Sequence, residues 1–477
     1  MPTPITLVWL RRDLRLFDHN ALQTAIRRGL PIAAAFVLDT DILDNLPPND
    51  RRIGFIDDSL AELQQALAQK NVPLWVLHGR AETEIPKLAG RLNAAAVVCA
   101  EDYEPQAVKR DNAVWRALDA DGRELVRVTD QVVFAKADIM SQQGRPYTTF
   151  APYKKAWLQA YRTRFASWQP ADDWAGLAAL QAHLPAHAHP TGPRPDLNAL
   201  GFTRQPVILR AGESAAQQQL GEFLTHIGRY HLQRDFPALK GVSQLSPYLR
   251  FGMLSPRHLA YLAQQADNEG ATAWLNELIW REFFQQFLYH HPDSAQQSFR
   301  PEYRTLAWQN RADWLQHWQN GQTGYPIIDA AMRRLAATGL MHNRLRMICA
   351  AFLTKDLLTD WRIGEAWFAA QLLDYDQAAN NGNWQWTAGT GSEAQPYFRI
   401  FNPILQSQKF DPDGTFIRRH LPELAHLGKD VIHAPWLAKA SINTHGYPAP
   451  IVNHAEQREK ALLLYQQAGK AETFAKT

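Results

Sequence analysis

The sequence predicts two parts: an α/β N-terminal domain built on a doubly wound parallel sheet, and an all-α C-terminal domain. Three observations predict them. Up to about residue 130, short apolar runs alternate with amphipathic stretches, the rhythm of βαβ units. After Pro206 strand signals vanish and helical patterns follow one another. Nine of the 16 tryptophans lie between Trp274 and Trp386, where even spacing would put about four. Trp as bulky filler of a helical core accounts for such a cluster by default.

The strands are expected at residues 5–10, 31–38, 74–77, 95–99 and 125–128, as continuous apolar runs suited to a sheet covered on both faces. Helices are expected at 20–28, closed by Gly29, and at 54–70 and 105–119. The turn after the first strand reads RRDLRLFDH and contains no glycine. A dinucleotide site needs small residues there so that backbone can approach a pyrophosphate. The rhythm is Rossmann-like, and the turn is wrong for a dinucleotide. From Ala171 to Pro206 the chain is rich in Ala, Pro and His and reads as a connector. Its His183, His187 and His189 lack a Cys or carboxylate at ligand spacing, so no metal site is expected. Helices then follow at 213–227, 256–266, 271–290, 326–337 and 341–356. Pro326 stands just inside one start and Gly339 just past its end. The domain boundaries expected are 1–130, a connector at 131–206, and a helical domain at 207–477.

Length and composition set the class. The chain has 477 residues, 46% hydrophobic and 20% charged, which suits a soluble globular protein of two or three domains. A net charge of +3 offers no global signal for nucleic acid, so any basic surface must be local. Two cysteines, Cys99 and Cys349, form no disulfide framework. No signal pattern or bilayer-length apolar run is present, and a cytoplasmic location without membrane contact is expected.

Four strings carry chemistry. KGVSQLSPYLRFGMLSPR holds Ser246-Pro247 and Ser255-Pro256, each a cap followed by Pro in the first helical turn. Ser243, Ser246 and free N–H groups there would also suit a phosphate; two ordinary caps would look the same. In WLNELIWREFF, Glu277, Trp280, Arg281 and Phe284 share a helix face. That pattern is a surface ion pair or the wall of a cavity with a stacking platform. In MHNRLRM, Asn343 and Met347 share a face. From Ala331 to Arg362 six basic residues face only Asp356 and Asp360, a solvated helix face or a local nucleic-acid surface. DYDQAANNGNWQW sets polar groups beside Trp384 and Trp386. Burying them is costly unless a ligand with matching donors and acceptors fills the space.

Together these strings are recognisable. WLRRDLRLFDH, SPYLRFGMLSP, WLNELIWREF, TGYPIIDAAMR, MHNRLRM and DYDQAANNGNWQWTAGTG occur in the order found in the DNA photolyase/cryptochrome family. The chain resembles that family over essentially its whole length, and within it the class I cyclobutane pyrimidine dimer (CPD) photolyases. The resemblance implies that the all-α half is an FAD-binding domain holding FAD in a bent form. It implies Tyr230, Ser243, Leu245, Ser246, Trp274, Arg281, Asn343, Arg346, Asp374, Asp376 and Asn380 as FAD contacts. Asp374 would pair with Arg346, and Asn380 would sit against flavin N5. Lesion and DNA contacts implied are Arg234, Glu277, Trp280, Asn343, Arg344, Met347, Trp386 and Arg399. Catalytic roles fall on Glu277 and Asn380, and on Trp384, Trp361 and Trp308 as an electron path to the surface.

The reaction implied is light-driven splitting of a pyrimidine dimer in UV-damaged DNA, with the dimer flipped out of the duplex. A monomer is expected, nucleoid-associated when bound to DNA. Plant cryptochromes usually carry Asp and insect ones Cys at the position of Asn380, so Asn favours repair over photosensing. A photosensory cryptochrome is the rival. A second, antenna chromophore is implied at Phe36, Asp39, Asp102, Glu104 and Arg250, at strand ends where open α/β sheets bind ligands. AEDYEP favours 8-hydroxy-5-deazaflavin, then FMN, then methenyltetrahydrofolate.

Overall fold

A computed structural model describes residues 3–170, 172–393, 395–438 and 442–475, with side chains to Ala468. The chain divides into two compact units. The first comprises Met1–Tyr147, Ala151–Gly228 and Ser243–His290; the second comprises Thr148–Phe150, Arg229–Val242 and His291–Thr477.

The first unit is built on an all-parallel sheet of β1 (Ile5–Leu10), β2 (Ile32–Asp39), β3 (Leu74–Gly79), β4 (Ala94–Ala100) and β5 (Glu124–Val128). Their order is β3-β2-β1-β4-β5, the doubly wound arrangement whose order reverses beside β1. Val8 pairs with Ala34 on one side and Val98 on the other. Every residue of β1 and β2 is buried, so both read as apolar runs without alternation. Helices Asn20–Arg27, Arg51–Ala68, Ala81–Arg91 and Pro105–Ala120 connect the strands. The glycine-free turn after β1 is filled by its own side chains. The Arg11 guanidinium lies 4.5 Å from the Trp9 ring, and Arg15 pairs with Asp130 at 2.7 Å.

Two differences from the sequence reading have plain causes. Inside the stretch read as connector, Phe150–Arg164 is a helix whose buried face, Tyr153, Trp157 and Tyr161, recurs every four residues. The Pro-rich segment also packs onto the sheet, at the start of the interior strand β2: the Gln181 side chain bonds both backbone groups of Ile32.

No strand occurs in the second unit among the described residues. Helices Ala312–Gln319, Pro326–Thr338, Asn343–Ala351, Trp361–Gln371 and Gln377–Ala388 enclose a core that includes Trp318, Leu345, Phe352, Trp361, Phe368 and Trp384. The helix expected at 341–356 begins at Asn343, where the His342 ring caps it, and passes at Phe352 into a π turn. Among the described residues no helix is long and apolar enough to cross a membrane.

Candidate functional site

In the first unit the SPYLRFGMLSP string makes two helix starts of different kinds. Ser255 caps Pro256–Ala266, its hydroxyl accepting the His258 N–H at 3.3 Å. Ser246 does not cap. It is the first residue of a five-residue helix, Ser246–Arg250, whose cap position is Leu245. The chain enters it through Gln244 at φ 56°, a left-handed bend that places Ser246 one step too late for capping. Ser243 Oγ lies 3.5 Å from the Leu245 nitrogen.

The long helix Glu269–His290 positions the second set. Trp274 is buried against Phe223, ring centroids 5.0 Å apart. Glu277, Trp280 and Arg281 are half-buried on one face, with Trp280 stacked on Phe284 at 5.4 Å. Arg281 donates to the Gln131 carbonyl at 2.7 Å. Between these residues stands a group the sequence reading missed. Glu282 is fully buried and accepts from Val133 N at 2.6 Å, Trp157 Nε1 at 2.8 Å and Tyr153 OH at 3.1 Å. Burial pushes its carboxyl up to about 7, against the pull of those donors. Glu282 therefore fixes the backbone at 133–134 beside the carbonyl that Arg281 holds. A lone Glu inside WREFF carries no signal of this.

The antenna candidates gather at the carboxyl ends of β1, β2 and β4. Glu104 accepts from Arg250 at 2.6 Å and Arg12 at 2.9 Å. Burial raises the Asp102 carboxyl, but Arg12, Arg11, Arg110 and Arg250 outweigh it and hold the group at about 2. Phe36 is buried, and Asp39 accepts the Asp41 N–H at 3.2 Å.

In the second unit Arg346 Nη2 lies 2.8 Å from Asp374, the pair that the resemblance implied. Asp376 caps Gln377–Ala388, accepting the Ala379 N–H at 3.1 Å. The string DYDQAANNGNWQW is thus mostly helix, and several of its polar groups bond within the protein rather than await a ligand. Gln385 donates to the Ser294 carbonyl at 2.8 Å and accepts from Phe299 N at 2.9 Å. Asn383 bonds the Ala379 carbonyl at 2.7 Å. Asn380 is buried, and its amide nitrogen donates to Glu365 Oε1 at 2.8 Å and to the Glu365 carbonyl at 3.1 Å. Burial pushes the Glu365 carboxyl up to about 7, opposed by the Asn380 bond. Glu365 was not singled out in the sequence, since only the fold brings it to Asn380.

Tyr230 is buried with Arg234 over its ring at 5.3 Å. Arg344 pairs with Asp235 at 2.8 Å and lies over Phe410. Asn343 is exposed, with Met347 on its face, and Trp386 is half-buried. Arg399 is exposed. Trp384 and Trp361 are buried and Trp308 is half-buried. Gly364 admits Trp384: a Cβ there would collide with the Trp384 ring and with Leu353.

Comparison with known proteins agrees with a parallel sheet in the N-terminal part and a helical C-terminal part. Residues 6–171 match the family profile described as DNA photolyase, and residues 274–467 match the FAD binding domain of DNA photolyase. The deoxyribodipyrimidine photo-lyase of Vibrio cholerae is 41% identical, over 97% of this chain and 99% of the relative. That of Escherichia coli is 40% identical over the same shares. Among solved structures, a bacterial class III photolyase from Agrobacterium tumefaciens superposes with a TM-score of 0.86 at 33% identity, covering 98% of both chains. A Synechocystis cryptochrome gives 0.87 at 29% identity, covering 97% of this chain and 99% of its own. The chain belongs to the DNA photolyase family. It is accordingly an enzyme, a flavoprotein of DNA repair whose C-terminal half binds FAD.

Proposed function

We propose that the enzyme repairs cyclobutane pyrimidine dimers in DNA by light-driven electron transfer, as a class I photolyase. The observation that carries the reading is the pairing of Arg346–Asp374 with an Asn380 whose amide nitrogen is already committed to Glu365. That commitment leaves the Asn380 oxygen as the group offered to a ring N–H, which fits the flavin. Tyr230, Ser243, Leu245, Ser246, Trp274, Arg281, Asn343, Arg346, Asp374, Asp376 and Asn380 would hold FAD. When bound and fully reduced, FAD would supply the chemistry of a photoexcited electron lent to the dimer and returned after ring opening.

The chain's own part is binding and orientation. Trp280 and Trp386 would flank the extruded bases, with Met347 closing an apolar wall. Glu277 and Asn343 would meet their carbonyl and N–H edges. Extrusion costs less at a dimer, which already stacks and pairs poorly. Arg234, Arg344 and Arg399 would take flanking phosphates. Trp308, Trp361 and Trp384 would pass an electron inward from the surface to restore the working redox state. Asp39, Phe36, Asp102, Glu104 and Arg250 would hold an antenna, with a deazaflavin favoured over FMN and folate.

The structural likeness to a class III photolyase and to a cryptochrome supports two other readings. Binding separates repair from sensing. The proposal expects the protein to prefer a duplex carrying one dimer over undamaged duplex in the dark. Trp386→Ala and Glu277→Ala should each erase most of that preference. Equal affinity for the two duplexes would favour the photosensory reading.

A further inference from the structure

A charge pattern in the second unit is not used by any role assigned above. The helices Pro326–Thr338 and Thr415–His420 pack together, and the first also packs on Asn343–Ala351. Near their meeting point three carboxylates are taken by arginines, while Asp329 and Asp411 accept from backbone N–H and hydroxyl groups. Asp235 pairs with Arg344 at 2.8 Å, Asp374 with Arg346 at 2.8 Å, and Glu423 with Arg333 at 2.7 Å. Arg334 and Arg419 remain, and among the described residues neither guanidinium has an ion pair or hydrogen bond. Arg334 is half-buried and Arg419 exposed.

Two imidazoles complete the group. His342 Nδ1 accepts the Arg344 N–H at 3.2 Å, so in the neutral ring Nε2 carries the proton. That Nε2 is buried and finds no acceptor; the Nε2 of His420 is also buried and without a partner. His420 packs against Phe416, ring centroids 4.6 Å apart. Burial lowers both imidazoles to about 4, and Arg334 adds to the effect on each. Burial and then Arg419 likewise lower Arg334. Among the described residues the like charges of Arg334 and Arg419 thus repel one another without a counter-ion of their own. An anion with several acceptor oxygens would relieve that repulsion.

We propose that Arg334 and Arg419, beside the buried His342 and His420 imidazoles, form a phosphate-binding site for the backbone of the DNA substrate. The identity of the anion rests on the function proposed above. DNA is favoured over a free nucleotide because the cluster adjoins Asn343 and Arg344, which open the same helix and are assigned to the lesion side. Contact with the backbone positions the duplex and carries no base specificity.

The test measures dark binding of the FAD-loaded full chain to a dimer-containing duplex and to the same undamaged duplex across a salt series. Arg334→Gln/Arg419→Gln should bind both duplexes about tenfold more weakly, and the slope of log affinity against log salt should flatten by about 1 to 2. Arg334→Lys/Arg419→Lys should recover most of the loss. Arg311→Gln, which removes a charge paired with Asp313 at 2.6 Å, should behave as wild type. Should the double glutamine variant not fold, Arg419→Gln alone should show about half the change in slope, because Arg419 is exposed. Affinity within twofold of wild type with an unchanged slope overturns the site, as does an equal loss in Arg311→Gln. A wild-type protein with no preference for the dimer would instead defeat the function proposed above, while the response on undamaged duplex still decides this site.

Discussion

The contact between Glu365 and Asn380 yields the sharpest quantitative expectation. The Glu365 carboxyl rises from its ordinary 4.5 to about 7 because it is buried, and the Asn380 N–H does not cancel the cost. A raised value in the folded state means that its contribution to stability is fully present below about pH 4.5 and is lost as pH climbs through 7. At about 1.4 kcal/mol for each tenfold change in proton affinity, the whole loss is about 3 kcal/mol. Roughly 2 kcal/mol of it falls between pH 5.5 and pH 8. Glu365→Gln keeps an oxygen for the Asn380 amide and removes the titration. Denaturant unfolding of wild type and variant should therefore diverge as pH rises, the variant gaining about 2 kcal/mol relative to wild type from pH 5.5 to 8. Asn380→Asp should act in the opposite sense, setting two carboxyls against one another so that they share a proton. Parallel pH profiles for wild type and Glu365→Gln would refute the reasoning, because Glu365 would then ionise as freely in the folded protein as in the unfolded chain.

Three further outcomes follow from the packing. Gly364→Ala forces a methyl into the Trp384 ring and Leu353; overpacking of about 1–3 kcal/mol exceeds the helix-propensity gain of about 1 kcal/mol, so the thermal midpoint should fall. Trp308→Phe should block photoreduction of the oxidised flavin in steady illumination while repair by chemically pre-reduced protein persists, and loss of both activities would remove Trp308 from the electron path. Glu282→Ala leaves the N–H of Val133, the Trp157 indole and the Tyr153 hydroxyl buried without an acceptor. At about 1–3 kcal/mol each it should unfold at far lower denaturant than Glu282→Gln, which retains one accepting oxygen.

The sheet was legible because β1 and β2 are buried on both faces and so read as unbroken apolar runs, and β1 falls at Ile5–Leu10 as expected. The helix Phe150–Arg164 carried its signal in Tyr153, Trp157 and Tyr161 but was hidden among basic residues in a stretch read as connector. Short strings also marked candidate residues, since Asp and Asn set beside Trp in a helical half are costly to bury without partners. What they could not show is how polar groups divide their bonds. Asn383 and Gln385 look as available for a ligand as Asn380 does, yet the helix turns them onto backbone carbonyls. Ser246 and Ser255 have the same Ser-Pro signature, and only the bend at Gln244 separates them. Glu365 and Gly364 act through a neighbour far along the chain, and that neighbour exists only after folding.

The central claim is that the reduced flavoprotein converts pyrimidine dimers to separate bases when it absorbs light. The most direct measurement is the number of dimers remaining in an oligonucleotide that carries one thymine dimer, after blue or near-UV illumination with the reduced holoprotein, beside a dark sample. Dimer loss under light alone, with the flavin returned to its starting absorbance, is the expected result. Unchanged dimer content under light, in a protein whose flavin photoreduces normally, would contradict it.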